Sequence, residues 1–249
     1  MKTFGFMRIK DEGRWIEKVL RSMIPVCDEI LILDDHSTDE TPDICGRFPQ
    51  VTLFHSPFQD VNEVRDKNFL VERLEALASP GDVVLAIDGD EEIAPGSADA
   101  IRQAASFDSD NDTWRFHVLY LWDAEDQIRV DGIYGYFWRP SMFRFRPGAR
   151  FRSPTPGGFH CGNVPEPGSI VRANVEILHY GYLHRADRIR KWNWYNSIDP
   201  TNHAEGFDPR FPERRSYPHI VQGDVPEVSA AAALMHAGPL RLEPLRLLH

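Results

Sequence analysis

The chain has 249 residues, 42% of them hydrophobic and 27% charged, which is the balance of an ordinary globular protein with room for one large α/β domain or two small ones. Its formal net charge of −10 argues against a nucleic-acid partner, because that function calls for a basic stripe. Three widely spaced cysteines, Cys27, Cys45 and Cys161, with no CxxC, speak against a disulfide framework or a zinc ribbon and for a reducing compartment.

Taken in chain order, the first half alternates strand-like and helix-like segments. Residues 3–9 read as a short buried strand. Residues 14–23 place Trp15, Val19, Leu20 and Met23 on one helical face. Residues 29–33 are apolar at nearly every position, as in a strand covered on both faces. They run into Asp34, Asp35, His36, Ser37, Thr38 and Asp39, a polar loop in which Ser37 or Thr38 is the expected cap of a helix over 41–48. A strand over 51–55, a helix over 61–78, a break at Pro80-Gly81 and a fourth apolar strand over 82–87 follow. That strand also ends in acids: Asp88, Asp90, Glu91 and Glu92.

Strands alternating with helices predict a mostly parallel sheet with helices on both faces. Ligands of such sheets sit outside the carboxyl ends of the strands, where both acidic clusters fall.

Beyond residue 112 the pattern changes. Residues 113–121 alternate like a half-buried strand, and residues 134–145 are aromatic-rich and interrupted by Pro140. Residues 147–167 are rich in proline and glycine, as in an ordered loop or lid. A strand is expected over 174–179 and a helix over 186–198, with irregular chain over 205–227 and helical composition over 228–249. The expected organisation is one continuous domain, with an α/β half over 1–112 and an α+β half over 113–249. No run reaches the roughly 20 apolar residues of a membrane span, and the charge at Lys2 comes too early for a signal peptide. The expected location is cytoplasmic, with a peripheral membrane contact and a homodimer left open.

Asp88-Gly89-Asp90 carries the most chemistry. Two carboxylates one residue apart can converge on one divalent cation, and the glycine between them lets the backbone turn close to a ligand. Hard oxygen ligands suit Mg²⁺ or Mn²⁺, ions that complete their shell with substrate phosphates. The bland alternative is a solvated acidic turn, but four acids directly after an apolar strand repel one another, and a cation would offset that cost. Asp34 and Asp35, at the end of another strand, can bond ribose hydroxyls or a base edge. Capping explains Ser37, Thr38 and Asp39 better than it explains these two.

Together, Arg8-Ile9-Lys10-Asp11-Glu12, the stretch from Asp28 through Asp34 and Asp35 to Thr41, and Leu85-Ala86-Ile87-Asp88-Gly89-Asp90-Glu91 closely resemble the family 2 glycosyltransferases of GT-A fold over about the first 95 residues. The resemblance implies an inverting enzyme that moves a sugar from a nucleoside-diphosphate donor, UDP-sugar by default, with Mn²⁺ or Mg²⁺. The acceptor would be a small molecule, a glycan or a lipid-linked compound. It implies that Arg8, Lys10, Glu12, Asp34 and Asp35 hold the nucleoside, and that Asp88 and Asp90 hold the metal and diphosphate. His36 stands where the family commonly has glycine or a small residue. It further implies a histidine near the metal or diphosphate, His179 first and His184 second, with Arg185 close behind.

Phe143-Arg144-Phe145 followed by Phe159-His160 resembles a subgroup pattern in which an acid comes next, but Cys161 stands there. The general base that inversion requires is therefore left between Asp131 and Glu166. Cations and aromatics at 188–195 suit either an acceptor contact or an ordinary packed helix, and packing is the preferred reading.

Rival chemistries fit less well. A haloacid-dehalogenase-type phosphatase needs Thr or Val where Glu92 stands, a nucleotidyltransferase needs a glycine-rich loop after the first strand, and no GxxxxGK[ST] occurs. A degenerate GT-A protein that binds nucleotide sugars without turnover is the remaining alternative.

Overall fold

The computed structural model describes residues 1–106, 112–153, 161–198, 217–226, 228 and 238–247. Two compact units share the chain. Met1–His117 and Trp138–Ile177 build the first, and Val118–Phe137 and Leu178–Arg246 build the second. A hairpin-containing segment, Val118–Phe137, interrupts the first unit along the chain.

The first unit is an α/β layer structure. Its parallel strands are β1 (Thr3–Ile9), β2 (Glu29–Asp34), β3 (Val51–His55) and β4 (Val83–Ala86), with β1 between β2 and β4 and β3 outside β2. Apolar residues at nearly every position of β2 and β4 follow from burial on both faces. Helices α1 (Ile16–Met23), α2 (Thr41–Cys45) and α3 (Glu63–Glu75) make the crossovers. Helix α1 buries Ile16, Val19, Leu20 and Met23; three of these were expected from their spacing, while Ile16 takes the place expected of Trp15, which is the half-buried cap of the helix. Helix α3 starts where the Asn62 side chain accepts the Arg65 amide at 3.0 Å. Its Leu70, Val71 and Leu74 join Phe4, Phe6, Leu31, Leu33 and Val84 in a single core cluster.

Four elements here had no counterpart in the sequence reading: β5 (Glu91–Ile93), α4 (Ser97–Ser106), β7 (Ala124–Arg129) and β10 (Leu242–Pro244). The strands among them are short or polar and carry no alternation. The last of them replaces the helical composition expected around residues 242–244, and it pairs antiparallel with β7. Pro244 is tolerated there because β10 ends the ladder. Helix α4 was legible in principle, since Ile101 and Ala105 are spaced by one turn and are buried.

Beyond β4 the sheet of the first unit turns antiparallel. Strand β8 (Trp138–Arg144) pairs with β4 on one side and with β6 (Thr113–Trp122) on the other. Pro140 interrupts the aromatic run without ending the strand. Pairing with β4 reaches only Met142, and the β6 register shifts between Trp114 and Arg115, opposite Pro140. The missing amide therefore falls at an irregularity rather than in a regular ladder. Strand β9 (Ile170–His179) starts four residues earlier than expected and pairs with β5 and β6. No helix among the described residues is long and apolar enough to cross a membrane.

The second unit is organised around two buried arginines. Arg129 and Arg188 are 0% and 1% exposed, and both guanidinium groups lie over the Trp122 ring, at 4.6 and 4.4 Å. Arg188, on α5 (Arg185–Ile198), bonds Asp224 at 2.5 Å, Asp123 at 2.7 Å and the Tyr182 carbonyl at 2.8 Å. Trp192 packs with Ile220, Val221 and Val228, so the packing reading holds for this face of the cationic aromatic helix.

Two stability predictions follow from this packing. A Cβ on Gly5 would lie 2.8 Å from Met23 Cε and 2.9 Å from Ile30 Cγ2, so Gly5→Ala is expected to destabilise the protein by about 1–3 kcal/mol in urea denaturation. Removing the guanidinium in Arg188→Met strands buried Asp224, and a loss of about 3 kcal/mol is expected in the same experiment. A midpoint unchanged from wild type would contradict either assignment.

Candidate active site at the carboxyl edge of the sheet

The loops after β1, β2 and β4 meet in the first unit, and side chains near their roots hold them together. Arg8, near the end of β1, donates through Nη2 to Asp35 at 2.5 Å and through Nε to Asp66 at 2.9 Å. Asp66 is fully buried on α3 and also takes Arg65 at 2.9 Å. A guanidinium fork suits this double role because it offers two directed donor sets in one plane. Lys10 Nζ donates to the carbonyls of Asp35 and His36 at 2.7 and 3.1 Å. The Glu12 amide donates to Thr41 Oγ1 at 2.8 Å.

The sequence reading left Asp34 and Asp35 incompletely explained as caps. Both Asp34 oxygens accept the Ser37 amide at 3.3 Å, and His55 stands 3.5 Å away. Asp34 therefore shapes the loop, while Asp35 faces Arg8. The expected cap of α2 is corrected. Ser37 and Thr38 bond the Asp11 turn instead, through the Asp11 amide and carboxylate. Asp39 supplies the carboxylate that takes the Thr41 amide at 3.0 Å.

His36 has φ = 57°, a left-handed conformation that costs a side-chain-bearing residue energy and favours glycine. Glycine would adopt it without that cost. The imidazole Nε2 lies 2.5 Å from the Phe58 carbonyl, a contact that offsets part of the cost.

Asp88, Gly89 and Asp90 form the turn between β4 and β5. A Cβ on Gly89 would come within 2.8 Å of Glu12 Cγ and 2.9 Å of Ile9 Cγ2. Glycine is required here by close approach, and that approach sets the acidic turn against the β1 loop. Asp88 is 45% exposed and takes Arg139 Nη1 at 3.1 Å on one oxygen and Asn163 Nδ2 at 3.4 Å on the other. Asp90 is 4% exposed. Glu91 is fully buried and paired with Arg139 Nη2. Burial pushes its carboxyl up to about 7, against the pull of Arg139. Its Oε1 has no hydrogen-bond partner among the described residues.

Among the described residues no group of three His, Cys, Asp or Glu side chains is arranged as a metal cage. Mg²⁺ and Mn²⁺ are commonly held by one or two carboxylates plus substrate phosphates. Asp88, half-exposed, and its neighbour Asp90 are the residues that could hold an ion in that mode.

The remaining sequence candidates are distributed as follows. Glu166, in the first unit, is 55% exposed and paired with Arg152 Nε at 2.8 Å. Asp131, in the second unit, accepts Arg129 on both oxygens, at 2.9 and 2.7 Å, and the Arg241 amide at 2.9 Å. Burial raises its proton affinity, but these donors outweigh burial and hold the carboxyl below its usual range. His179 lies among the rings of Tyr120 and Tyr182, and its Nδ1 accepts the Gly181 amide at 3.1 Å. That bond needs the Nδ1 lone pair, which in a neutral ring leaves Nε2 as a donor. The His184 carbonyl takes the amides of Asp187 and Arg188 at the start of α5. Arg185 Nη2 donates to the Asp224 carbonyl at 3.0 Å. Phe159 and His160 lie outside the described residues.

Arg139, Lys67 and Asn163 are site residues that sequence reasoning missed. A Trp-Arg-Pro stretch in an aromatic run and a helix-borne Lys67-Asn68 pair carry no pattern that distinguishes them from surface residues. Only the fold brings them to Asp88.

Comparison with known proteins now bears on this geometry. The family model described as Glycosyl transferase family 2 matches residues 7–147, more than half of the chain and the whole of the loop set just described. No curated protein matches the chain in sequence. Among solved structures, S. aureus TarS in complex with UDP-GlcNAc is 12% identical with a TM-score of 0.48, covering 94% of this chain and 84% of that one. The mannosyltransferase PcManGT from Pyrobaculum calidifontis, in complex with GDP-Man and Mn²⁺, is 15% identical with a TM-score of 0.46, covering 96% and 76%. Glucosyl-3-phosphoglycerate synthase from Mycobacterium tuberculosis is 21% identical over 48% of this chain and 43% of that one, with a TM-score of 0.36. These likenesses are too distant to fix a donor or an acceptor. With the family model spanning the parallel strands and their acidic loops, the α/β architecture is that of the GT-A class, and the chain belongs to glycosyl transferase family 2 and is a glycosyltransferase.

Proposed function

We propose that this glycosyltransferase transfers a sugar from a nucleoside-diphosphate donor to a hydroxyl acceptor, with inversion, and that Asp88 and Asp90 hold a Mn²⁺ or Mg²⁺ ion against the donor diphosphate. What supports the reading is one contact. Gly89 packs on Ile9 and Glu12, so the carboxylates after β4 share a rim with Arg8, Lys10 and Asp35 at the ends of β1 and β2. A diphosphate bridging a nucleoside and a sugar spans such a rim.

In this reading Asp35, oriented by Arg8, bonds the ribose, and Lys10 stiffens the loop that carries it. The divalent ion, when bound, stabilises the negative charge that grows on the leaving diphosphate. The acceptor oxygen attacks the anomeric carbon opposite the leaving group. The new C–O bond forms as the bond to the diphosphate breaks, and a carboxylate takes the acceptor proton. Glu166 serves this role more readily than Asp131, because Asp131 is bound on both oxygens by Arg129 while Glu166 is exposed beside Arg152.

Thermal unfolding tests the donor site. A ligand at 100 times its dissociation constant adds about 2.7 kcal/mol of stability. At least one of UDP-, dTDP- and GDP-sugars with Mn²⁺ is expected to raise Tm, and the shift should vanish on adding EDTA. In Asp90→Ala the shift should be largely lost while the ligand-free melt stays close to wild type. No shift with any nucleotide in any metal would refute the donor site.

Turnover decides between an enzyme and a binder that has lost catalysis. Release of nucleoside diphosphate from the shifting nucleotide sugar is expected with Mn²⁺. Glu166→Gln should lower kcat by about 100-fold or more while leaving the thermal shift intact. A kcat for Glu166→Gln equal to wild type would remove Glu166 as the base.

A further inference from the structure

Lys67 lies on α3 and is 8% exposed. Its Nζ donates to the carbonyls of Cys161 and Gly162, each at 3.1 Å, and to Asn163 Oδ1 at 3.2 Å. An ammonium has three protons and no acceptor, so these bonds use its whole donor capacity. Lys67 lines a small cavity together with Arg8, Asp88 and Asn163, yet no proton remains on it for a phosphate oxygen. Its influence on the site runs through Asn163.

The amide of Asn163 has two ends that differ in kind. The bond from Lys67 fixes Oδ1 toward the ammonium, and Nδ2 must then face the other way. There it lies 3.4 Å from the Ala86 carbonyl, at the end of β4, and 3.4 Å from Asp88 Oδ1. The opposite oxygen of Asp88 takes Arg139. The carboxylate is thereby gripped from both sides, by β8 through Arg139 and by the 161–163 segment through Asn163. Without the ammonium Oδ1 loses the donor that faces it, and the amide is held in this sense by the two Nδ2 contacts alone, each at 3.4 Å; turned over, Oδ1 would face the Asp88 oxygen, acceptor against acceptor.

We propose that Lys67 and Asn163 are positioning residues of the donor site: Lys67 fixes the orientation of the Asn163 amide, and the amide aims the Asp88 carboxylate at the metal and diphosphate. The inference rests on the role given to Asp88 above. A purely structural role, tying residues 161–163 to α3, would change stability and leave metal affinity alone, and the test separates the two.

Binding of UDP and of GDP is measured by titration calorimetry across a series of Mn²⁺ concentrations, with folding checked by circular dichroism, for the wild type and for Lys67→Met, Lys67→Arg and Asn163→Ala. Groups that orient a metal ligand commonly contribute 10–100-fold to metal affinity. Asn163→Ala and Lys67→Met are expected to raise the Mn²⁺ concentration for half-maximal nucleotide binding about tenfold or more, and Lys67→Arg should restore most of it by donating to the same Oδ1. A folded Asn163→Ala protein with the Mn²⁺ dependence of the wild type overturns the proposal, even if Lys67→Met fails to fold. A wild type that binds neither nucleotide at any Mn²⁺ concentration overturns the donor-site reading itself, and the inference with it.

Discussion

Carboxylates crowd the carboxyl edge of the parallel sheet, and the arrangement stands because arginines are wedged among them. Arg8 lies between Asp35 and Asp66, and Arg139 between Asp88 and Glu91. Asp66 and Glu91 are fully buried, and a buried carboxylate with no partner is costly. The pairs therefore do two things at once. They make the acidic loops compatible with a folded core, and they leave the outer carboxylates, above all half-exposed Asp88, turned toward solvent. In the proposed function the same residues serve stability and donor binding, so single substitutions among them should affect both.

The parallel half of the fold was open to reading because burial on both faces forces β2 and β4 to be apolar throughout, and because α1 repeats its apolar face at helical spacing. The elements that escaped the reading lack such signals. Strand β7 has the sequence Ala-Glu-Asp-Gln-Ile-Arg, which is indistinguishable from a polar loop until β10 is placed beside it. Strand β8 contains a proline, and its place between β4 and β6 depends on partners far away in sequence.

The site divides along the same line. The candidate residues Arg8, Asp35, Asp88 and Asp90 lie in contiguous motifs at strand ends, where a sequence pattern and a rule about parallel sheets point to them. Arg139 and Asn163 act on Asp88 from 51 and 75 residues away, and no local pattern encodes such a distance. The mistaken cap at Ser37 and Thr38 has a related cause. Both residues have the right chemistry for a cap, but the Asp11 turn, which is remote in sequence, claims them first.

The position of β8 bears on how this protein can be dissected. It lies between β4 and β6 although some fifty residues of chain separate it from β4, so a fragment cut after residue 112 ends before that strand is made. Such a fragment would keep every acidic motif and still expose the ladder of β4, from Val83 to Leu85, as an apolar edge of unpaired amides and carbonyls. Edges of that kind recruit strands from other chains. The acidic motifs thus lie in the first part of the sequence, while the smallest body that both carries them and covers the β4 edge extends past its midpoint.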